Sequence, residues 1–166
     1  MKKTFKWWHA VIIFIVANAL SAAPAGYNGE EAFYNSFKQP AVAPPDWAFA
    51  QIWLILNITS LYALYLVANL PRGTPNPKAF IISESIGWVL FSVFAIFYFG
   101  MKSPVLGAIN TVMGLVVASV SLYCSFTLNK MAMWNILPRV LWLMVATYVS
   151  VYIAVENRDE FLSFLS

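Results

Sequence analysis

WAFAQIWLILNITSLYALYLVANL, running from Trp47 to Leu70, decides the fold. It contains no Asp, Glu, Lys or Arg, and it exceeds the roughly 20 apolar residues that a helix needs to cross about 30 Å of hydrocarbon. A transmembrane barrel would show short alternating segments instead of one unbroken apolar run. Four more stretches read the same way, so spans are expected at about 7–25, 46–70, 78–101, 104–129 and 131–155. The expected fold class is an all-α membrane protein, a bundle of five transmembrane helices in a single domain over residues 1–166.

Composition agrees. The 166 residues are 61% hydrophobic and 10% charged, with a mean hydropathy of +0.71. A soluble domain carries about 25% charged residues, so a water-soluble globular fold is excluded. Disorder, which needs low hydrophobicity and high net charge, is excluded with it. The single cysteine, Cys124, rules out an internal disulfide. With one histidine, His9, there is no His pair to hold a metal.

The breaks between spans have chemical reasons. Gly26 to Asp46 is the longest connection and carries Pro40, Pro44 and Pro45, with Asp46 placed to cap the second span. Its prolines restrict the backbone, and Phe33, Tyr34 and Phe37 give it apolar groups to bury, so it reads as an ordered lid. Pro71 to Pro77 separates spans two and three, and Asn129-Lys130 is a tight turn between four and five. Pro104 suits a first helical turn. Ala19-Leu-Ser21-Ala-Ala resembles a signal-peptide cleavage site. The long uncharged run from Trp7 and the interfacial pair Trp7-Trp8 favour a retained span.

Basic residues set the expected orientation. With the N-terminus cytoplasmic, Lys2, Lys3, Lys6, Arg72, Lys78 and Lys130 fall inside, against Lys38, Lys102 and Arg158 outside. The protein is therefore expected to be a multi-pass membrane protein, N-terminus in and C-terminus out, with membrane lipid as its surroundings and no nucleic-acid partner.

Chemistry-bearing residues are few. No Ser/His/Asp set, GxGxxG, Walker sequence or HExxH is present, so no catalytic residues and no metal ligands are assigned. His9, next to two tryptophans, reads as interfacial. Glu84 and Arg139 are the two charges within the spans. The expectation is that each snorkels to the nearby surface; the alternative is a pair, or a polar wall of a cavity. Trp53, with Asn57 one turn on, and Trp142, with Ala146 one turn on, lie deep enough to line a cleft for a flat apolar ligand. Periodicity alone favours ordinary packing for them. In the fourth span Gly107, Thr111, Gly114, Ala118, Ser121 and Ser125 form one face of small side chains, a seam for close helix contact. That contact is expected within the five-helix bundle or in a homodimer, with Gly114 its sensitive point.

Several of these residues resemble those of a known family. Phe33-Tyr34, Pro40, Pro44-Pro45, Phe49 and Trp53 are similar to the first loop and second helix of the TspO/MBR family of tryptophan-rich sensory or translocator proteins. Phe97-Tyr-Phe-Gly100-Met101-Lys102 resembles its end of helix three, and Leu137-Pro138, Leu141-Trp142 and Ala146-Thr-Tyr-Val-Ser150 resemble its helix five. The resemblance covers about Phe33 to Asn157. It implies a five-helix bundle whose long first loop folds over a pocket. It also implies binding of tetrapyrroles, porphyrin or haem-like, or of similar flat hydrophobic ligands, in a sensory role linked to tetrapyrrole regulation or stress signalling. No covalently bound cofactor is implied. Light-dependent porphyrin degradation and transport of hydrophobic ligands are the alternatives, and a homodimer is the implied assembly. Trp53 and Trp142 match the pocket tryptophans. Tyr34, Pro44, Pro45 and Phe49 match the loop and rim, and Asn57 and Ala146 complete the expected ligand-binding set. The chain departs from the family pattern at Val42, Asn57, Phe91, Phe94, Arg139 and Ser150.

Overall fold

A computed structural model describes residues 4–28, 30–71, 73–74 and 77–165. Lys2, Lys3, Gly29, Arg72 and Pro75 lie outside the described residues. Five long helices are present: α1 (Trp7–Asn28), α3 (Asp46–Ala68), α4 (Pro77–Ala95), α5 (Pro104–Leu128) and α6 (Lys130–Glu156). Two short ones, α2 (Glu30–Asn35) and α7 (Glu160–Leu165), lie at one end, and no strand occurs among the described residues. Five helical segments are long and apolar enough to span a membrane. Their outward faces carry bare aliphatic groups such as Ile55, Val89 and Val116, the surface that lipid tails cover.

The helices close into a ring. α5 packs between α4 and α6, α6 packs on α3, and α1 fits between α3 and α4. α1 continues unbroken through Ala19–Ala23 and on to Asn28. The expected stop at residue 25 fails because one glycine in a helix costs only about 1 kcal/mol and does not end it.

The small face of α5 explains the tight ring. Ser83 and Ser121 hydroxyls meet at 2.8 Å across α4 and α5, and Ser121 and Ser125 are fully buried. The seam is internal to the chain. Its close point is Gly107, where a Cβ would stand 2.6 Å from Tyr98 Cδ2. At Gly114 a Cβ would meet only Leu143 Cδ2 at 3.7 Å, an ordinary contact, because Gly114 borders open space inside the bundle.

Helix termini follow local chemistry. Ser103 caps α5 by accepting from Leu106 N, with Pro104 at the first helical position. Asn129 alone separates α5 from α6; its Oδ1 accepts from Ala132 N, and its own N–H closes α5 on the Ser125 carbonyl. Pro45 occupies the capping position of α3 in place of Asp46, which is the first helical residue. The third span does not run as α-helix to Met101: Ile96–Gly100 forms a π-helical turn, with Met101 N donating to the Ile96 carbonyl at 2.8 Å. Two consecutive rings of this turn, Tyr98 and Phe99, are buried in the interior.

Candidate functional site: a lidded aromatic cavity

The ring encloses a cavity of about 410 Å³, within the 300–1,000 Å³ range of small-molecule sites. Its walls come from α1, α3, α4, α5, α6 and the lid. Trp53, Trp88 and Phe91 form one wall, where the Trp53 and Phe91 rings lie 5.2 Å apart. Phe94 and Tyr98 stack at 5.4 Å and a 13° interplanar angle nearer the lid. Asn57, Asn110, Thr111 and Ser150 supply scattered polar atoms.

The lid is built from residues 30–45. Phe33 sets its ring edge-on to Tyr98 at 5.3 Å and to Phe37 at 4.8 Å. Buried Tyr34 packs edge-on against Phe49 and donates its hydroxyl to the Pro44 carbonyl at 2.9 Å. Burial, and then the nearby Asp46 carboxylate, push the Tyr34 phenol up to about 12, so it stays a donor at physiological pH. Gln39 Nε2 donates back to the Tyr34 carbonyl at 2.7 Å. The far side of the lid is strapped to the end of α6. Lys38 N donates to Asn157 Oδ1 at 2.8 Å, Asn157 Nδ2 donates to the Lys38 carbonyl at 3.0 Å, and Lys38 Nζ pairs with Glu156.

α7 braces the same end. Asp159 Oδ2 accepts from Ser103 Oγ at 2.6 Å and from Val105 N at 2.9 Å, and Oδ1 accepts from Leu162 N at 2.8 Å. Burial pushes the Asp159 carboxyl up, but the hydrogen bonds from Ser103 and from the Leu162, Val105 and Phe161 amides outweigh it. The group titrates below the usual range.

At the opposite, deep end lie Glu84, fully buried, and Arg139, 6% exposed. Neither snorkels. The guanidinium pairs with Glu84 through Nη1 and Nη2. Ser60 completes a triangle, donating to Glu84 Oε2 at 2.7 Å and accepting from Arg139 Nη1 at 2.8 Å. Burial makes pairing obligatory: isolated charges in hydrocarbon are costly, and they face partners or cavities. Surface escape fails because α3, α4 and α5 enclose both groups in the ring. Arg139 also lines the cavity, so the pair is at once a bolt between helices and a polar floor.

The residues singled out from the sequence distribute unevenly. Tyr34, Phe49, Trp53, Asn57 and Ala146 line the cavity. Trp142 stands one ring behind that wall, edge-on to Phe49 at 5.6 Å. Pro44 serves the lid through its carbonyl and Pro45 starts α3; neither forms part of the lining. Sequence reasoning missed Trp88, Asn110 and Tyr98. Trp88 was within reach, because it follows Glu84 by four positions and therefore shares its helix face. Tyr98 was not, since its direction depends on the π-helical turn.

These features first define a class: multi-pass helical membrane proteins with an aromatic internal cavity closed at one end by a folded loop. The sequence profile of the TspO/MBR family matches residues 10–155, and the chain belongs to that family. It is 30% identical over 144 residues to the uncharacterized membrane protein YtaB of Bacillus subtilis, covering 85% of this chain and 91% of that protein. The tryptophan-rich protein TspO of Bacillus cereus is 21% identical over 140 residues, with 84% and 90% covered. The protein of the same description from Chlorobaculum tepidum is 27% identical over 125 residues, with 71% and 75% covered.

Proposed function

We propose that this protein is a membrane binding or sensory protein for tetrapyrroles, porphyrin or haem-like, or for flat hydrophobic ligands of similar shape. One observation carries the reading: a cavity of about 410 Å³ walled by Trp53, Phe91 and Phe94 and covered by a lid that packs Phe33 on Tyr98 and is tied to Asn157 at the end of α6. Aromatic faces match the π surface of a macrocycle and supply large contact area at low entropic cost. Family membership supports a tetrapyrrole-related role. The distribution of basic residues supports an orientation with the N-terminus cytoplasmic and the lid outside.

The test is a dark titration of purified protein in detergent with protoporphyrin IX, read by the Soret band and by quenching of tryptophan fluorescence. A saturable spectral shift is expected, weakened about tenfold by Trp53→Ala, which removes a stacking wall. Absence of saturable binding overturns the proposal. Illumination of the same sample examines porphyrin breakdown: bleaching with a defined product, lost in Trp53→Phe, would make the protein an enzyme rather than a binder.

A further inference from the structure

We infer that the end of the bundle opposite the lid is a seat for anionic phospholipid headgroups, whose phosphates lie against Lys6, Lys78 and Lys130. The inference is independent of what occupies the cavity. It starts from how the charges divide. Six of the ten bases, Lys2, Lys3, Lys6, Arg72, Lys78 and Lys130, fall before α1, between α3 and α4, or at the starts of α4 and α6. None of the seven acids falls there. Glu30, Glu31, Asp46, Glu156, Asp159 and Glu160 belong to the lid end, and Glu84 is buried on Arg139.

The fold brings this charge to one rim and leaves it open. Phe5 N donates to Asn69 Oδ1 at 3.2 Å, and Asn69 Nδ2 donates to the Phe5 carbonyl at 2.7 Å. The segment before α1 is thereby fastened to the end of α3, so Lys6 stands at the rim and not on a free tail. Lys78 is the second residue of α4, and Lys130 follows the one-residue joint between α5 and α6. All three are exposed, and none is paired with an acid among the described residues. Their depth selects a lipid over an acidic protein. Exposed Trp7 and Trp8 follow Lys6 directly, and exposed Trp134 lies one turn after Lys130 on the same helix face. Such indoles lie at the level of bilayer headgroups. Ammonium groups a turn or less away reach the phosphates, with their stems along the apolar surface. The lid end differs. Lys102 there faces Glu160 at 3.9 Å, and Arg158 adjoins Asp159 in sequence, so acids answer its bases.

The test titrates purified protein in a neutral detergent with phosphatidylglycerol or with phosphatidylcholine of identical chains. Native mass spectrometry counts the bound lipids, and the melting temperature is followed in parallel. A basic side chain beside an anionic surface contributes about fivefold in binding. The wild type is therefore expected to hold phosphatidylglycerol at least about tenfold more tightly than phosphatidylcholine, and to melt higher in its presence. Raising salt from about 0.05 to about 0.5 M should narrow the preference by screening. Lys6→Gln/Lys78→Gln/Lys130→Gln should bring it below about threefold. Lys102→Gln/Arg158→Gln, which removes charge from the lid end, should leave it within about twofold of the wild-type value. Melting curves in detergent alone verify that each variant is folded. The three single variants, each lowering the preference by a smaller step, carry the test if the triple variant does not fold. Equal binding of the two lipids by the wild type, an unchanged preference in the triple variant, or an equal loss in the lid-end variant overturns the inference. Displacement of phosphatidylglycerol by a soluble hexaglutamate peptide assigns the rim to an acidic protein and overturns it as well.

Discussion

Two of the bundle's charge pairs sit in opposite worlds. At the deep end Arg139 and Glu84 are enclosed by helices and share Ser60 between them. At the lid, Lys38 and Glu156 pair with side chains 64% and 36% exposed. The chemistry is the same, an N–H donor on a carboxylate, but the surroundings differ. Water competes for the lid pair and salt screens it. Nothing competes for the deep pair, and nothing relieves either member if the other is lost. The deep pair therefore fixes where α3, α4 and α6 meet, while the lid pair only biases a loop that backbone hydrogen bonds and aromatic packing already hold.

The largest expected effect breaks the deep pair on one side. Arg139→Met should destabilise the bundle by about 3–5 kcal/mol, because Glu84 is left buried without a counter-charge and with only Ser60 to donate to it. Glu84→Met/Arg139→Met should recover most of that loss, since both charges go together. Thermal unfolding in detergent measures both. A single variant as stable as the wild type would mean that the deep pair behaves like the exposed one, and the contrast would collapse.

A steric change near the lid end of the bundle gives the next effect. Gly107→Ala places a methyl 2.6 Å from Tyr98 Cδ2, an overpacking expected to cost about 1–3 kcal/mol. Gly114→Ala, facing open cavity, should lie within about 0.5 kcal/mol of the wild type. Equal melting temperatures for the two would show that the π-helical turn yields freely, and that the cavity is less rigid than its packing indicates.

Acid probes the braced end alone. The Asp159 carboxyl is held below its ordinary range in the folded protein. Its stabilising contribution is therefore present above the unfolded value of about 3.9, and is lost as pH falls through the lower folded value. Amide exchange in α7 should accelerate below about pH 4 in the wild type. In Asp159→Asn it should be fast already at neutral pH. Protection of α7 that persists unchanged to pH 2 would place its anchorage elsewhere.

The smallest effect concerns the exposed pair. Hydrogen bonding to Glu156, and then its charge, raise the Lys38 ammonium above its usual range. That contribution is present below about pH 10.4 and lost as pH rises through the raised value. Lys38→Met should leave the melting temperature unchanged at 0.15 M salt and accelerate only local exchange around residues 36–40. A global loss of stability would make the strap an equal of the deep bolt.

Much of this was legible in the residues. Long uncharged runs gave five spans because hydrocarbon admits only backbone that bonds to itself, and the seam on α5 was written in its small side chains. Glu84 and Arg139 were visible as exceptions, yet their pairing was not: 55 positions separate them, and sequence alone does not say whether a charge two turns from a helix end turns inward or out. Trp53 and Trp142 looked equivalent by depth and spacing, but rotation of α3 and α6 puts one in the cavity wall and the other behind Phe49. The sequence by itself determined that the chain is a helical membrane protein, since transfer free energy is summed along a run and needs no neighbours. Only the tertiary structure decided which polar atoms meet, which tryptophan faces the cavity, and that a π-helical turn brings Tyr98 against Gly107. Those outcomes depend on relative helix rotation and register, which packing sets to within an ångström and no local pattern encodes.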